Sequence, residues 1–174
     1  MKLILLDIDG VLNSQDNADA LYEAWEIRRN HNKDFISKED YENFRDGIYK
    51  DDFGVLFDPR CELWLNSLIQ RTGAKIIISS DWRKSGHVAM ENLWKQRGLY
   101  GEVIHCTPIG AGGMYETREE QIMLMVNHYK PETWVAIDDM DLDLPKTNFV
   151  RTDFYTGLNR ITYHKAKNIL LNKQ

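Results

Sequence analysis

The stretch Lys2-Leu3-Ile4-Leu5-Leu6-Asp7-Ile8-Asp9-Gly10-Val11-Leu12-Asn13 decides how the rest of the chain is read. Leu3 to Leu6 form an unbroken apolar run that ends at Asp7; Asp9 follows, and Gly10 is a turn signal. An apolar run bounded in this way suits a strand buried on both faces of a parallel sheet. Ligands of such sheets bind beyond the carboxyl ends of the strands, where Asp7 and Asp9 emerge. Neighbouring carboxylates repel one another, and a bound cation is the simplest reason for keeping them together. The competing reading is a plain strand-end turn whose carboxylates cap backbone groups.

Further strands of the same kind follow. Lys75-Ile76-Ile77-Ile78-Ser79 is a β-branched run leading into Ser80-Asp81-Trp82-Arg83. Glu102-Val103-Ile104-His105-Cys106 is a shorter third strand, and Trp134-Val135-Ala136-Ile137 is a fourth that ends in Asp138-Asp139-Met140-Asp141-Leu142-Asp143. Asn148-Phe149-Val150-Arg151 makes a fifth. Helices are expected between them. Asp58-Pro59 opens one with Cys61, Trp64, Leu65 and Leu68 as its buried stripe, closed by Gly73. Another runs from Ser85 to Arg97, burying Ala89, Met90, Leu93 and Trp94. Thr117 with Glu120 is a capping box ahead of Ile122, Met125, Val126 and Tyr129, and Lys130-Pro131 stops that helix. Asn159 caps a last helix expected to bury Ile161, Ala166, Ile169 and Leu170. The order implies an α/β, Rossmann-like fold: a mostly parallel sheet with helices on both faces.

Residues 14–54 interrupt this alternation. They are polar, charged and aromatic-rich, with one helical pattern on Ala18, Leu21, Tyr22 and Trp25. A second, opened by Ser37 and Asp40, carries Tyr41, Phe44 and Ile48, and Asn30-His31-Asn32-Lys33-Asp34 reads as the loop between them. The segment reads as an insertion into a core made of residues 1–13 and 55–174. Its aromatics, among them Phe35, Tyr49 and Phe53, are expected mainly to pack, with stacking on a base as the other use.

The 174 residues suffice for one well-cored domain, with 43% apolar and 28% charged residues. No apolar stretch is long enough for a membrane span and the first strand lacks a signal-peptide pattern, so the expected location is cytoplasmic with no membrane partner. A net charge of −5 argues against strong binding of duplex nucleic acid. Cys61 and Cys106 are too few for a zinc motif or redox pair and are expected to be reduced and buried.

Three strands therefore deliver polar residues to one sheet edge: Asp7 and Asp9, Ser79 and Ser80, Asp138 and Asp139. Oxygen donors without His or Cys favour a hard cation such as Mg²⁺. Other hydrolytic chemistries do not fit. A cysteine phosphatase needs an arginine six residues after its cysteine, where this chain has Ser67 and Gly112. His31, His87, His105, His128 and His164 form no zinc-spaced pair, and no phosphate-binding glycine loop ends in lysine. Gly110-Ala111-Gly112-Gly113 reads as a loose loop, and Asp143 as a solvated loop acid.

Asp7-Ile8-Asp9-Gly10-Val11-Leu12, Ser79 and Asp138-Asp139 at their strand ends resemble the haloacid dehalogenase (HAD) superfamily of phosphohydrolases. Ser79-Ser80-Asp81-Trp82-Arg83, Phe57-Asp58-Pro59 and Gly157-Leu158 are closer still to the HAD domains of RNA-repair proteins of the Swiss Army Knife type. The resemblance covers nearly the whole chain outside the insertion, and it makes residues 14–54 a small helical cap over the site. It implies a Mg²⁺-dependent phosphatase acting through an aspartyl-phosphate: Asp7 as nucleophile, Asp9 as general acid and base, and Ser79, Ser80 and Arg83 on the phosphate. The metal would be held by Asp7, the Asp9 main-chain carbonyl and the Asp138-Asp139 pair, with Asp139 as the direct ligand and Asp138 in support. Where the superfamily usually has a lysine, Arg118 is the first candidate for the balancing cation and Lys130 the second. Arg83 has a second reading, pairing with a neighbouring acid. The implied partner is a phosphorylated small molecule, such as a nucleotide, or a nucleic-acid 3′-phosphate end. The alternative is a HAD-fold metal-binding regulatory or interaction protein with little or no turnover.

Overall fold

The structure, a computed structural model, describes residues 1–31, 49–109 and 117–172. Five strands form one sheet: β1 (Lys2–Leu6), β4 (Lys75–Ile78), β5 (Val103–Cys106), β6 (Thr133–Asp138) and β7 (Phe149–Arg151). Their order is β5-β4-β1-β6-β7, and every neighbouring pair is parallel. The chain leaves β1 towards β4 and β5, then returns to β6 and β7 on the opposite side. Strand order thus reverses beside β1, the place where open α/β sheets bind ligands.

Both faces are covered, as the unbroken apolar strands require. Ile4, Leu6, Ile76, Ile78, Val135 and Ile137 face one core together with α2 (Pro59–Thr72), α3 (His87–Gln96) and α5 (Arg160–Leu170). Leu3, Leu5, Ile77 and Ala136 face the other, against Ile122 and Met125 of α4 (Arg118–Tyr129). Each fully buried Leu or Ile contributes roughly 1.5–3 kcal/mol over its exposed state, so the central strands anchor the sheet firmly.

Local signals account for the helix ends. Asp58 caps α2 through the Arg60 N–H ahead of Pro59, and Gly73 closes the helix in the left-handed conformation. Thr117 and Glu120 form the expected capping box, and Lys130 ends α4 with φ of 44°. Cys61 and Cys106 are free and buried, and burial pushes their thiols up to about 12 and about 11.

Several expectations change. Asn30 and His31, read as loop, belong to α1 (Gln15–His31), which continues through them. The helical pattern on Ser37 to Ile48, Phe35 and the glycines 110–113 lie outside the described residues. The helix expected from about Ser85 to Arg97 is present as His87–Gln96. A 3-10 turn spans Asp81–Ser85 because the Ser80 side chain caps it, and α3 begins only after Gly86. Ile161 is 68% exposed rather than buried. The inward face of α5 is Thr162, Tyr163, Ala166 and Leu170, with Trp64 of α2 packed 5.1 Å from the Tyr163 ring. A two-stranded antiparallel hairpin, β2 (Lys50–Asp51) and β3 (Gly54–Val55), was not expected. Asp51 is ion-paired to Arg97 at 2.8 Å, which ties the hairpin to the end of α3.

Candidate active site

Register brings the strand ends level. Leu6 of β1 pairs with Ile78 of β4 and with Ile137 of β6, so Asp7, Ser79 and Asp138 continue three adjacent strands in one row. The ladder runs on past them: Asp7 N–H donates to Ile137 O at 3.0 Å and Ser79 N–H to Leu6 O at 2.7 Å. All three residues are buried.

Arg118 bridges two of the carboxylates. Its Nη1 donates to Asp7 Oδ2 at 2.8 Å and to Asp138 Oδ2 at 2.7 Å. The capping box starts α4 at Arg118, and this sets the guanidinium at the strand ends. Lys130 caps the opposite end of α4, roughly 18 Å away for a helix of that length. The remaining oxygens are held by main-chain donors: Ile8 N–H on Asp7 Oδ1 at 2.8 Å, and Met140 N–H on Asp138 Oδ1 at 2.9 Å.

Carboxylate oxygens of Asp7, Asp138 and Asp139 lie within 4.8 Å of one another. Asp139 can approach because Gly10 has no side chain; a Cβ there would stand 2.6 Å from Asp139 Cγ. Thr152 Oγ1 donates to Gly10 O at 2.8 Å, and Arg151 Nε to Asp139 O at 2.9 Å, fixing both segments. Three carboxylates thus face the one guanidinium that bridges them among the described residues. Burial and the charge of Asp138 push the Asp7 carboxyl up to about 7, although Arg118, the Ser80 hydroxyl and the Ile8 N–H pull the other way. Burial raises Asp138 as well, against the pull of Arg118. Oxygen-only donors in a buried site short of positive charge fit a hard divalent cation such as Mg²⁺. Ser79 Oγ, buried and without a partner among the described residues, fits an incoming oxygen acceptor.

Asp9 is held differently. Trp82 Nε1 donates to its Oδ2 at 3.0 Å and Asn13 Nδ2 to its Oδ1 at 3.0 Å. Arg83 Nη1 stands 3.6 Å from a neighbouring acid, Asp81. The buried guanidinium also donates to Ser80 O at 2.6 Å and Gln121 Oε1 at 2.8 Å, bracing the turn after β4 against α4. Asp143 is exposed, and its N–H donates to Glu119 Oε1 at 3.1 Å.

Sequence reading missed Trp82 and Asn13 as partners of Asp9, and Gln121 as partner of Arg83. The bonds of Trp82 and Gln121 cross between elements, and that of Asn13 closes the turn after β1.

No curated protein and no solved structure matches this chain. One family does, described as the HAD domain in Swiss Army Knife RNA repair proteins, and the match spans residues 3–162. That span runs from β1 to the first turn of α5 and takes in every carboxylate and Arg118 of the row above. The chain therefore belongs to the HAD domains of Swiss Army Knife RNA repair proteins.

Proposed function

We propose that this chain is a Mg²⁺-dependent phosphatase that hydrolyses a phosphate monoester through an aspartyl-phosphate on Asp7. Family membership supports a phosphohydrolase at the level of the superfamily. The observation that carries the finer reading is the Asp7–Arg118–Asp138 bridge with Asp139 beside it, a row of carboxylates bridged among the described residues by one guanidinium.

Asp7 attacks phosphorus as its carboxylate, forming an Asp7–phosphorus bond while the ester P–O bond breaks. Asp9 gives its proton to the departing alcohol oxygen. A water then attacks phosphorus and passes its proton to Asp9, the Asp7–phosphorus bond breaks, and inorganic phosphate leaves. Both aspartates return to their starting states. Arg118 fixes the rotamer of Asp7 and offsets the charge of nucleophile and phosphate. The Ser79 hydroxyl, with Ser80, donates to a phosphate oxygen, and Arg83 braces the turn that carries both. Asp7, Asp139 and the Asp9 carbonyl would hold the cation, with Asp138 in support; bound there, it neutralises the phosphate oxygens and orients them for in-line attack.

Residues 14–54 take the role of a cap, a reading supported by their place directly after β1 and by the tie between Asp51 and Arg97. The substrate is a phosphorylated small molecule such as a nucleotide, or a nucleic-acid 3′-phosphate end. No helix among the described residues is long and apolar enough to cross a membrane.

Hydrolysis of an aryl phosphate by the Asp7→Asn protein, with Mg²⁺ present, is the test. A fall of about a thousandfold or more is expected for loss of the nucleophile. Undiminished turnover would refute the reading. A wild-type chain that turns over no phosphate ester would favour the metal-binding regulatory alternative.

A further inference from the structure

Beside Asp9 lies a cleft of about 280 Å³, walled by Asn13, Gln15 and Ala18 on one side and by Phe154 on the other. Phe154 and Tyr155 are exposed, at 42% and 59%, and their rings meet edge to face at 5.7 Å. Large exposed rings usually sit on surfaces free to rearrange. Here the main chain that carries them is fixed. Asp153 Oδ1 accepts the N–H groups of Tyr155 and Thr156 at 3.0 and 3.1 Å, and Gly157 N–H returns to Asp153 O at 2.7 Å. Gly157 has φ of 63°, and a Cβ there would stand 2.7 Å from Val11 O, so the turn is pressed against the segment after β1.

The same turn holds the opposite wall. Gln15 N–H donates to Phe154 O at 3.2 Å and Asp16 N–H to Tyr155 O at 3.1 Å. The two sides of the cleft are thus bound by main-chain hydrogen bonds, and the turn sets Phe154 at its edge. A ring carried on a fixed main chain has only its two side-chain torsions to lose when it stacks on a partner. Among the described residues that line the cleft there is no Lys or Arg, and Asp9 is the one acidic residue. The volume lies near the lower end of the roughly 300–1,000 Å³ typical of small-molecule sites, enough for one ring system.

We propose that this cleft receives the leaving group of the phosphate ester, and that the leaving group is an uncharged alcohol bearing a planar ring, as a nucleoside is, stacked on Phe154. The inference rests on the phosphatase reading above, because Asp9 protonates the alcohol oxygen at the mouth of the cleft. It makes Phe154 a residue that determines specificity.

Adenosine, which carries the ring and no phosphate, reads the cleft without turnover. It is titrated by calorimetry into the full-length Asp7→Asn protein and into the same protein with Phe154→Ala. Saturable binding that weakens about tenfold without the Phe154 ring is expected, the loss typical of removing one stacking partner. Equal binding to both, or none to either, would overturn the inference and leave the phosphatase reading standing. In the active chain, kcat/KM for adenosine monophosphates relative to β-glycerol phosphate is expected to fall about tenfold in Phe154→Ala and to recover in Phe154→Tyr. An equal loss on both esters would reduce Phe154 to a structural residue and overturn the inference. A nucleoside bisphosphate is expected to be a poorer substrate than the monophosphate; a preference for it would overturn the uncharged leaving group. Absence of turnover on every ester, with adenosine still bound and weakened by Phe154→Ala, would refute the phosphatase reading and the leaving-group assignment with it, whereas turnover without adenosine binding would overturn the inference alone.

Discussion

Trp82 Nε1 donates to Asp9 Oδ2 at 3.0 Å across a sequence separation of 73 residues. The indole is itself held. Its ring lies 5.6 Å from that of Phe57, Arg97 Cζ stands 4.2 Å over Phe57 and 5.7 Å over Trp82, and Gly54 of the hairpin sits against its edge. Hairpin, α3 and the 3-10 turn therefore set the direction of one carboxylate. Asp9 has to reach the leaving oxygen at hydrogen-bond distance to act on it.

Trp82→Phe keeps most of this packing and removes the N–H. With Asp9 as proton donor, kcat for alkyl phosphates is expected to fall about tenfold, part of the roughly 10²–10⁴ that general acid catalysis supplies, with KM little changed. p-Nitrophenyl phosphate, whose leaving group needs no proton, should lose far less. Equal losses on both esters would remove Trp82 from the positioning of Asp9.

Arg118 makes a different prediction because one nitrogen, Nη1, serves both Asp7 and Asp138. A lysine ammonium is also a single nitrogen able to meet two carboxylates. Arg118→Lys is expected to retain activity within about tenfold. Arg118→Ala should lose about 10²–10³ in kcat, as when a charge-stabilising donor is deleted. It should also be destabilised at pH 8, since the buried carboxylates lose their cation. Steady-state kinetics and urea melts of the two variants check this; equal activity in both would mean the bridge is not needed for turnover.

Much of this architecture is legible from local pattern. The runs Leu3 to Leu6, Ile76 to Ile78 and Val135 to Ile137 read as buried strands because nothing polar interrupts them, and burial on both faces follows. Arg118 was legible because a capping box fixes where a helix begins. Ile161 was not: Asn159 marks the start of α5, but the inward face depends on where Tyr163 meets Trp64 of α2. The hairpin was hidden because strands of two residues show no alternation. Trp82 and Phe154 escaped for a common reason. Their significance lies in what stands opposite them in space, and no periodicity records that.

Divalent cation binding should depend on pH through Asp7. Its folded carboxyl is raised to about 7, above the ordinary value of about 3.9. The folded state thus keeps a proton that the unfolded state has released, and this contribution to stability is lost as pH rises through neutrality. A cation binds the ionised form and offsets that loss. Mg²⁺ at about 100 times its dissociation constant stabilises by about 2.7 kcal/mol, a shift of several degrees in Tm. The Mg²⁺-induced rise is expected to be large at pH 8, small at pH 5.5 and absent in Asp139→Asn. Thermal melts with and without the ion measure it; a rise of the same size at both pH values, or one that persists in Asp139→Asn, would show that the ion binds elsewhere.

Asp58 tests the support beneath the cleft. It is 1% exposed, and its oxygens accept from the Arg60 N–H at 2.8 Å, the Arg60 side chain, and Ser14 Oγ at 2.7 Å. Burial pushes its carboxyl up, but the hydrogen bonds from Arg60 and Ser14 outweigh this and hold it below the usual range. The sign is opposite to that of Asp7: the stabilisation is complete above about pH 4 and is lost as pH falls through the lowered folded value. Asp58→Ala removes the helix cap and should cost about 1–2 kcal/mol at pH 7. Asp58→Asn keeps a capping oxygen and should cost less, with a smaller further loss between pH 7 and pH 3 than wild type. Urea melts at the two pH values separate these outcomes, and equal acid sensitivity in wild type and Asp58→Asn would rule Asp58 out as the responsible group. Because Ser14 also lines the cleft beside Asp9, the alanine variant should weaken adenosine binding as well, whereas the asparagine variant, with its amide oxygen on the Arg60 N–H, can donate from its amide nitrogen to Ser14 Oγ and should preserve it.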